Sequence, residues 1–285
     1  MTEVAASDQL LVVIDPVARR TDGESVRIAK DVLSAGAATK VCLPDGPEEF
    51  ARALARRGTR RPVVVGDDRA LMRAVSLLHR RRELGVCALS MVPIGGVLSL
   101  ARSLGVPTGA VAAARAVLDG SERRLDLLVD DSDGVVLGTL RIPSAPAPVP
   151  TAPGVAPEAA SHAWLRTCQS LVRTLASRPA RTAAMPGPGP TRLRVEVDGV
   201  TVVDLDQPVE AVSVTPGGPG GAEVEVLPTT DGTAVVPLRA FGRRVTVSGA
   251  DFRYRADAVV SGPVRTRTWT VREEAWGLTL PLGFP

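Results

Sequence analysis

Short apolar runs alternate with amphipathic helical patterns through the first 142 residues, and no other feature constrains the fold so strongly. LLVVI at Leu10–Ile14 reads as a strand. ESVRIAKDVLSAG then carries Val26, Ile28, Ala29, Val32 and Leu33 at helical spacing. KVCL is a second strand, and PEEFARALARRG a second helix with Pro47 near its start, where a missing N–H costs little. PVVV followed by LMRAVSLLHR repeats the unit, and GVCALSMVPI begins a fourth. Strands separated by such helices imply a parallel sheet with helices on both faces. The ligand edge of that sheet lies at the carboxyl ends of its strands, here the turns after Ile14, Val65 and Val92.

The texture then changes. PSAPAPVPTAPGVAP, from Pro143 to Pro157, reads as an extended connection. One helix is expected after it, with Trp164, Cys168, Leu171, Val172 and Leu175 on a single stripe. RLRVEVDGVTVVDL alternates on both sides of Asp198-Gly199, a hairpin signal. Further strands are predicted at AEVEVL, TAVVPL, RRVTVSG, FRYRADAVV, RTRTWTV and GLTLPL. A chain of 285 residues is expected to form two domains. We place a Rossmann-like α/β lobe at 1–142, and at 143–285 a Pro-rich connection, one helix and an antiparallel β lobe.

Composition removes several function classes. Basic residues number 34 against 31 acidic ones, for a formal charge of +3, and no long basic stripe is present, so nucleic-acid binding is not expected. Cys42, Cys87 and Cys168 share no C-x-x-C pair and suit buried thiols better than a zinc site. With His79 and His162 the only histidines, no metal site is expected. The longest apolar runs fall far short of the ~20 residues that span a bilayer, and MTEVAASDQ lacks the features of a signal peptide. A cytoplasmic location without stable membrane insertion is the expectation.

VVVGDDRALMRAV, Val63 to Val75, has the strand–turn–helix frame of a phosphate-binding loop. Only Gly66 remains where such a loop wants several glycines, and Asp67, Asp68 and Arg69 fill the turn. Glycines there admit positive φ and let backbone N–H groups approach phosphate closely. Asp68 is read either as a helix N-cap, the favoured reading, or as a surviving nucleotide contact.

In order along the chain, these motifs resemble the diacylglycerol kinase catalytic family, which includes bacterial lipid kinases and sphingosine kinases. The family's opening N-P-x-S-G falls on Asp15-Pro16-Val17-Ala18-Arg19, and its G-G-D-G-T on Gly66-Asp67-Asp68-Arg69-Ala70. Its P-x-G-T-x-N-D-x-A-R falls on Pro93 to Arg102, with Gly95 and Gly96 retained or substituted in and Leu98 replacing Asn. Its R-R-x-D-L matches Arg123 to Leu127. Asp231-Gly232-Thr233 resembles the stretch carrying the catalytic aspartate, and YRADAVV the D-G-E strand, with Asp257 kept and Ala258-Val259 replacing Gly-Glu.

The resemblance implies a two-lobed NAD-kinase/diacylglycerol-kinase-like fold: a Rossmann-like parallel-sheet lobe, an antiparallel β-sandwich lobe, and a C-terminal segment returning toward the first. It also implies ATP and Mg²⁺ as cofactors of an active member. The replacements point instead to a catalytically degenerate member, with Asp231 as a vestigial catalytic candidate whose Asp-Gly pair reads more readily as a hairpin turn. The first function class is then a ligand-binding or regulatory module for a phosphate-bearing small molecule, such as a nucleotide second messenger. A divergent active lipid kinase using ATP, and a protein-interaction scaffold, are the alternatives; a protein partner and a homodimer stay open. The candidate ligand residues are Arg69, Arg19, Arg20, Asp68, Gly66, Gly95 and Gly96. Arg69 is expected either to pair with Asp67 or Asp68 and close the site, or to grip an anion.

Overall fold

The structure is a computed structural model and describes residues 9–143, 191–217, 220–229 and 236–283. The expected helix at 164–175, Cys168 and Asp231 lie outside the described residues.

The first half builds β1 (Leu10–Ile14), α1 (Pro16–Thr21), α2 (Gly23–Gly36), β2 (Thr39–Cys42), α3 (Pro47–Ala55), β3 (Arg61–Gly66), α4 (Asp68–Arg80) and β4 (Ala88–Pro93). Then come α5 (Ser99–Ser103), α6 (Ala110–Asp119), β5 (Ser121–Asp130), β6 (Val135–Val136) and β7 (Leu140–Ile142). Strands β2, β1, β3 and β4 lie side by side, all parallel. Buried on both faces, such strands read as continuous apolar runs rather than alternating ones. β1 shows why: Leu11 and Val13 join a core with Phe50 and Leu54 of α3 and Leu71 and Leu78 of α4. Leu10, Val12 and Ile14 join another with Ala29 and Leu33 of α2 and Ala113 and Val117 of α6. Alternate residues of one strand thus serve two helical layers.

The second half contains β8 (Thr191–Val197), β9 (Val200–Val203), β10 (Pro208–Pro216), β11 (Ala222–Pro228), β12 (Leu238–Gly242), β13 (Arg244–Ala256) and β14 (Val259–Leu280). The expected hairpin joins β8 to β9, with Asp198 and Gly199 both at positive φ (50° and 85°), as a type I′ turn requires. A third core, including Val195, Val212, Val224, Val247 and the fully buried Trp269, belongs to these antiparallel strands.

Several sequence expectations change here. β10 was not anticipated. The TAVVPL strand begins, among the described residues, only at Leu238. RRVTVSG and FRYRADAVV merge into β13 up to Ala256, and RTRTWTV and GLTLPL are parts of one 22-residue strand, β14. An irregularity between Arg272 and Trp276 absorbs Glu273 and Glu274, so the strand continues through residues that interrupt its apolar pattern.

Strand pairing does not divide at residue 142. β5 and β7 precede that position, yet β5 pairs with β14, and β7 with β10 and β13. At 22 residues β14 is roughly 70 Å long, enough to join the parallel and the antiparallel strands into one continuous 14-stranded sheet. Its early part pairs antiparallel with β13, and at Gly277 and Leu278 it runs parallel to β4. Ser90 of β4 and Thr279 of β14 share a buried 2.9 Å hydrogen bond at this seam. Among the described residues, no helix is long and apolar enough to cross a membrane.

Candidate functional site

The carboxyl edge of the parallel sheet gathers the turns after β1, β3 and β4. Asp15 ends β1 and is 3% exposed. One carboxylate oxygen caps α1 by accepting from Val17 N at 2.8 Å, and Pro16 follows at the first helical position, so a short helix starts directly on the strand. The other oxygen accepts from Arg73 of α4 at 2.7 Å. The Arg73 guanidinium also lies 5.4 Å from the centre of the Phe50 ring. Arg73 was not singled out from sequence, and Asp15 only as the first residue of the motif that follows β1.

At the turn after β3 the two aspartates have separate duties. Asp67, not Asp68, is the N-cap of α4: its Oδ1 accepts from the backbone N–H of Arg69 and of Ala70, both at 3.1 Å. Asp68 is 1% exposed and reaches across to α5, accepting from Leu100 N at 2.8 Å, Ala101 N at 3.0 Å and Ser99 Oγ at 3.2 Å. The expectation that Asp68 caps its own helix is therefore corrected. The reason is Leu98, which stands at the N-cap of α5 and has no side-chain oxygen to offer. Asp68 supplies from a neighbouring turn what Leu98 cannot.

Gly66 is kept for space: a Cβ there would stand 2.6 Å from Ala70 Cβ and 3.0 Å from Asp15 Cβ. Gly95 has φ +139° and its α-carbon faces Asp67, so both conformation and contact require glycine. Gly96 faces open space.

Among the described residues, no hydrogen bond or ion pair brings the three candidate arginines onto a common partner. Arg19 turns to the loop after β2, donating to Pro44 O at 3.0 Å and pairing with Asp45 at 2.9 Å. Arg20 is exposed on α1. Arg69 is exposed, and among the described residues its guanidinium has no partner; Asp67 and Asp68 are committed to backbone donors instead. It borders a groove of about 540 Å³ between α4 and the turn joining β13 to β14. Arg69, Met72, Arg73 and Ser76 form the α4 wall, at the i, i+3, i+4, i+7 spacing of one helix face. The segment around Asp130 and Val135 forms the floor, and Tyr254 and Ala258 to Ser261 the opposite wall. The i+4 step from Arg69 to Arg73 was the available sequence signal for this face.

Asp130, the carboxylate in this groove, already accepts four hydrogen bonds. Its Oδ1 accepts from Ser132 N, Ser132 Oγ and Gly134 N at 2.7–2.8 Å, and its Oδ2 accepts from Tyr254 Oη at 3.2 Å. Burial raises its pKa, but the Ser132 and Gly134 donors outweigh that and hold it below the usual aspartate value. Burial, then the Asp130 charge, push the Tyr254 phenol up, so it remains the donor. Asp257 at the β13–β14 turn takes three successive N–H groups, Leu137 and Gly138 at 2.8 Å and Thr139 at 3.0 Å. Burial nevertheless lifts its pKa to about 6, with the Asp68 charge adding to the rise.

The residues at the sheet edge do not fit ATP and Mg²⁺. A helix start binds phosphate through free N–H groups. Here those of α4 and α5 already face carboxylates, and an arriving phosphate would meet Asp67 and Asp68 as like charges. Among the described residues no three His, Cys, Asp or Glu side chains converge as a metal site.

The diacylglycerol kinase catalytic domain model matches residues 9–129. No curated protein matches the sequence. The chain is similar in fold to the crystal structure of a diacylglycerol kinase from Bacillus anthracis str. Sterne, with TM-score 0.67 at 10% identity over 98% of both chains. A further structure from the same organism, provisionally assigned as a diacylglycerol kinase, superposes with TM-score 0.70 at 11% identity over 99% of both chains. At such identity these likenesses show the fold alone; the family model, matched over β1 to β5, assigns residues 9–129 to the diacylglycerol kinase catalytic domain.

Proposed function

We propose that this chain is a catalytically degenerate, diacylglycerol-kinase-like protein that works as a ligand-binding or regulatory module. Its two lobes are the parallel sheet with its helices and the antiparallel strands, with β14 serving both. One observation carries the reading: the N–H groups that open α4 and α5 are occupied by Asp67 and Asp68. Two further features support it. Val259, at the position of the family's glutamate, is a 47% exposed apolar side chain. Ala70 offers no hydroxyl where the family has threonine. Each lost group that orients or moves a proton costs ~10²–10⁴ in rate, so several together remove most catalysis.

The test is twofold: calorimetric titration with ATP and Mg²⁺, and labelled-phosphate transfer to diacylglycerol in mixed micelles. We expect no binding heat and no product above the no-enzyme control. Turnover of ~1–100 s⁻¹, the ordinary kinase range, would overturn the reading.

A further inference from the structure

We propose that the groove between α4 and the β13–β14 turn binds a small anionic amphiphile, an apolar body with one carboxylate or phosphate head, and that Arg69 grips the head. This deepens the ligand-binding reading above and rests on it.

Charge points to an anion. Of the two arginines on the α4 wall, Arg73 is neutralised by Asp15, whereas Arg69 has no partner among the described residues. Asp130 accepts from Ser132, Gly134 and Tyr254, and among the described residues no hydrogen bond or ion pair joins it to Arg69. A guanidinium with nothing to hold is suited to a carboxylate or phosphate, which it can grip bidentately.

The remaining lining points to an apolar body. Met72, Val135 and Val136 are buried beneath the groove, and Val259 and Val260 on the far wall are 47% and 45% exposed. Covering such valines removes apolar surface from water. The volume of about 540 Å³ falls within the roughly 300–1,000 Å³ of small-molecule sites. A nucleoside triphosphate fits poorly: one free cation faces a polyanion, and the nearest helix starts are capped. A neutral lipid would leave Arg69 unused.

The experiment is calorimetry of the full chain with octyl phosphate, octanoate and octanol below their aggregation concentrations. We expect the two anions to bind and octanol to bind at least about tenfold more weakly, as loss of a charge-assisted contact implies. Arg69→Ala should weaken anion binding about ten- to a hundredfold. Ser76→Trp, which fills the groove from α4, should abolish binding of both anions, with its melting curve confirming the fold. Arg20→Ala should bind as wild type. Preference between octyl phosphate and octanoate identifies the head group. Unchanged affinity in Arg69→Ala, equal binding of octanol, weakening in Arg20→Ala instead, or no binding of either anion would each overturn the proposal. Those results leave the degenerate-kinase reading standing, whereas binding of Mg-ATP in a parallel titration would remove that reading.

Discussion

The sheet edge and the groove beside it lie on either side of one helix turn and differ in how their polar groups are spent. At the edge, the carboxylates of Asp15, Asp67 and Asp68 take the N–H groups of Val17, of Arg69 and Ala70, and of Leu100 and Ala101, at the openings of α1, α4 and α5, in contacts of 2.8–3.1 Å. In the groove, Arg69 carries a charge that no described side chain answers. The difference lies in what answers each charge: carboxylates hold the N–H groups at the helix starts, while the guanidinium one residue on is left open. Replacing glycines by Asp67 and Arg69 moves the positive potential from fixed backbone N–H groups to one mobile side chain. On the proposed reading, recognition shifts from the loop to the face of the helix it opens.

The comparison can be broken first at Asp68. Asp68→Ala should destabilise the protein by about 3 kcal/mol, since it leaves buried N–H groups of Leu100 and Ala101 unpaired. Urea unfolding measures this, and a loss under 1 kcal/mol would mean that Asp68 is not holding the edge together.

A smaller effect separates Asp257, at the groove's turn, from the edge carboxylates. Its folded pKa of about 6 lies above the unfolded value of 3.8. Between those values the native state binds more protons than the unfolded chain, so its contribution falls as pH rises from about 4 to 6. Asp130 has its pKa lowered and contributes with the opposite sign. The wild-type minus Asp257→Asn difference in unfolding free energy isolates the former. It should shift against wild type by on the order of 2 kcal/mol between pH 4 and 7. A pH-independent difference would show that Asp257 titrates normally.

The smallest effect sharpens the contrast. Arg69→Ala should change stability by less than about 0.5 kcal/mol, because an exposed side chain without partners has little to lose. A loss above 1 kcal/mol in the same urea experiment would reveal a structural contact and return Arg69 to the closed edge.

Much of the parallel sheet was legible because its signal is local. LLVVI and PVVV are buried on both faces, and Val26, Ala29 and Leu33 repeat at helical spacing, so β1, β3 and α2 follow from short windows. What sequence missed depends on distant partners. α1 is six residues long and owes its start to an Asp15–Pro16 pair, too short for a periodic pattern. β10 pairs with β7 and β11, and β14 runs through Glu273 and Glu274 because β5 pairs on either side of them. At the site, the departure of Gly66 to Ala70 from a glycine-rich loop was readable from its residue types. The division of work between Asp67 and Asp68 was not, because it depends on how close α5 comes to α4. The groove was invisible for the same reason, being assembled from α4, the segment after β5 and the β13–β14 turn.

The long strand β14 has a consequence for how the chain is made. It supplies the strand beside β4 in the parallel sheet and the antiparallel partner of both β5 and β13. During synthesis, therefore, β4 and β5 leave the ribosome with one edge unpaired and wait for residues up to Leu280. Pairings of such separation form slowly, and open strand edges in the interval attract other chains. Those edges stay open until β14 is made, and that one strand then joins both halves at once.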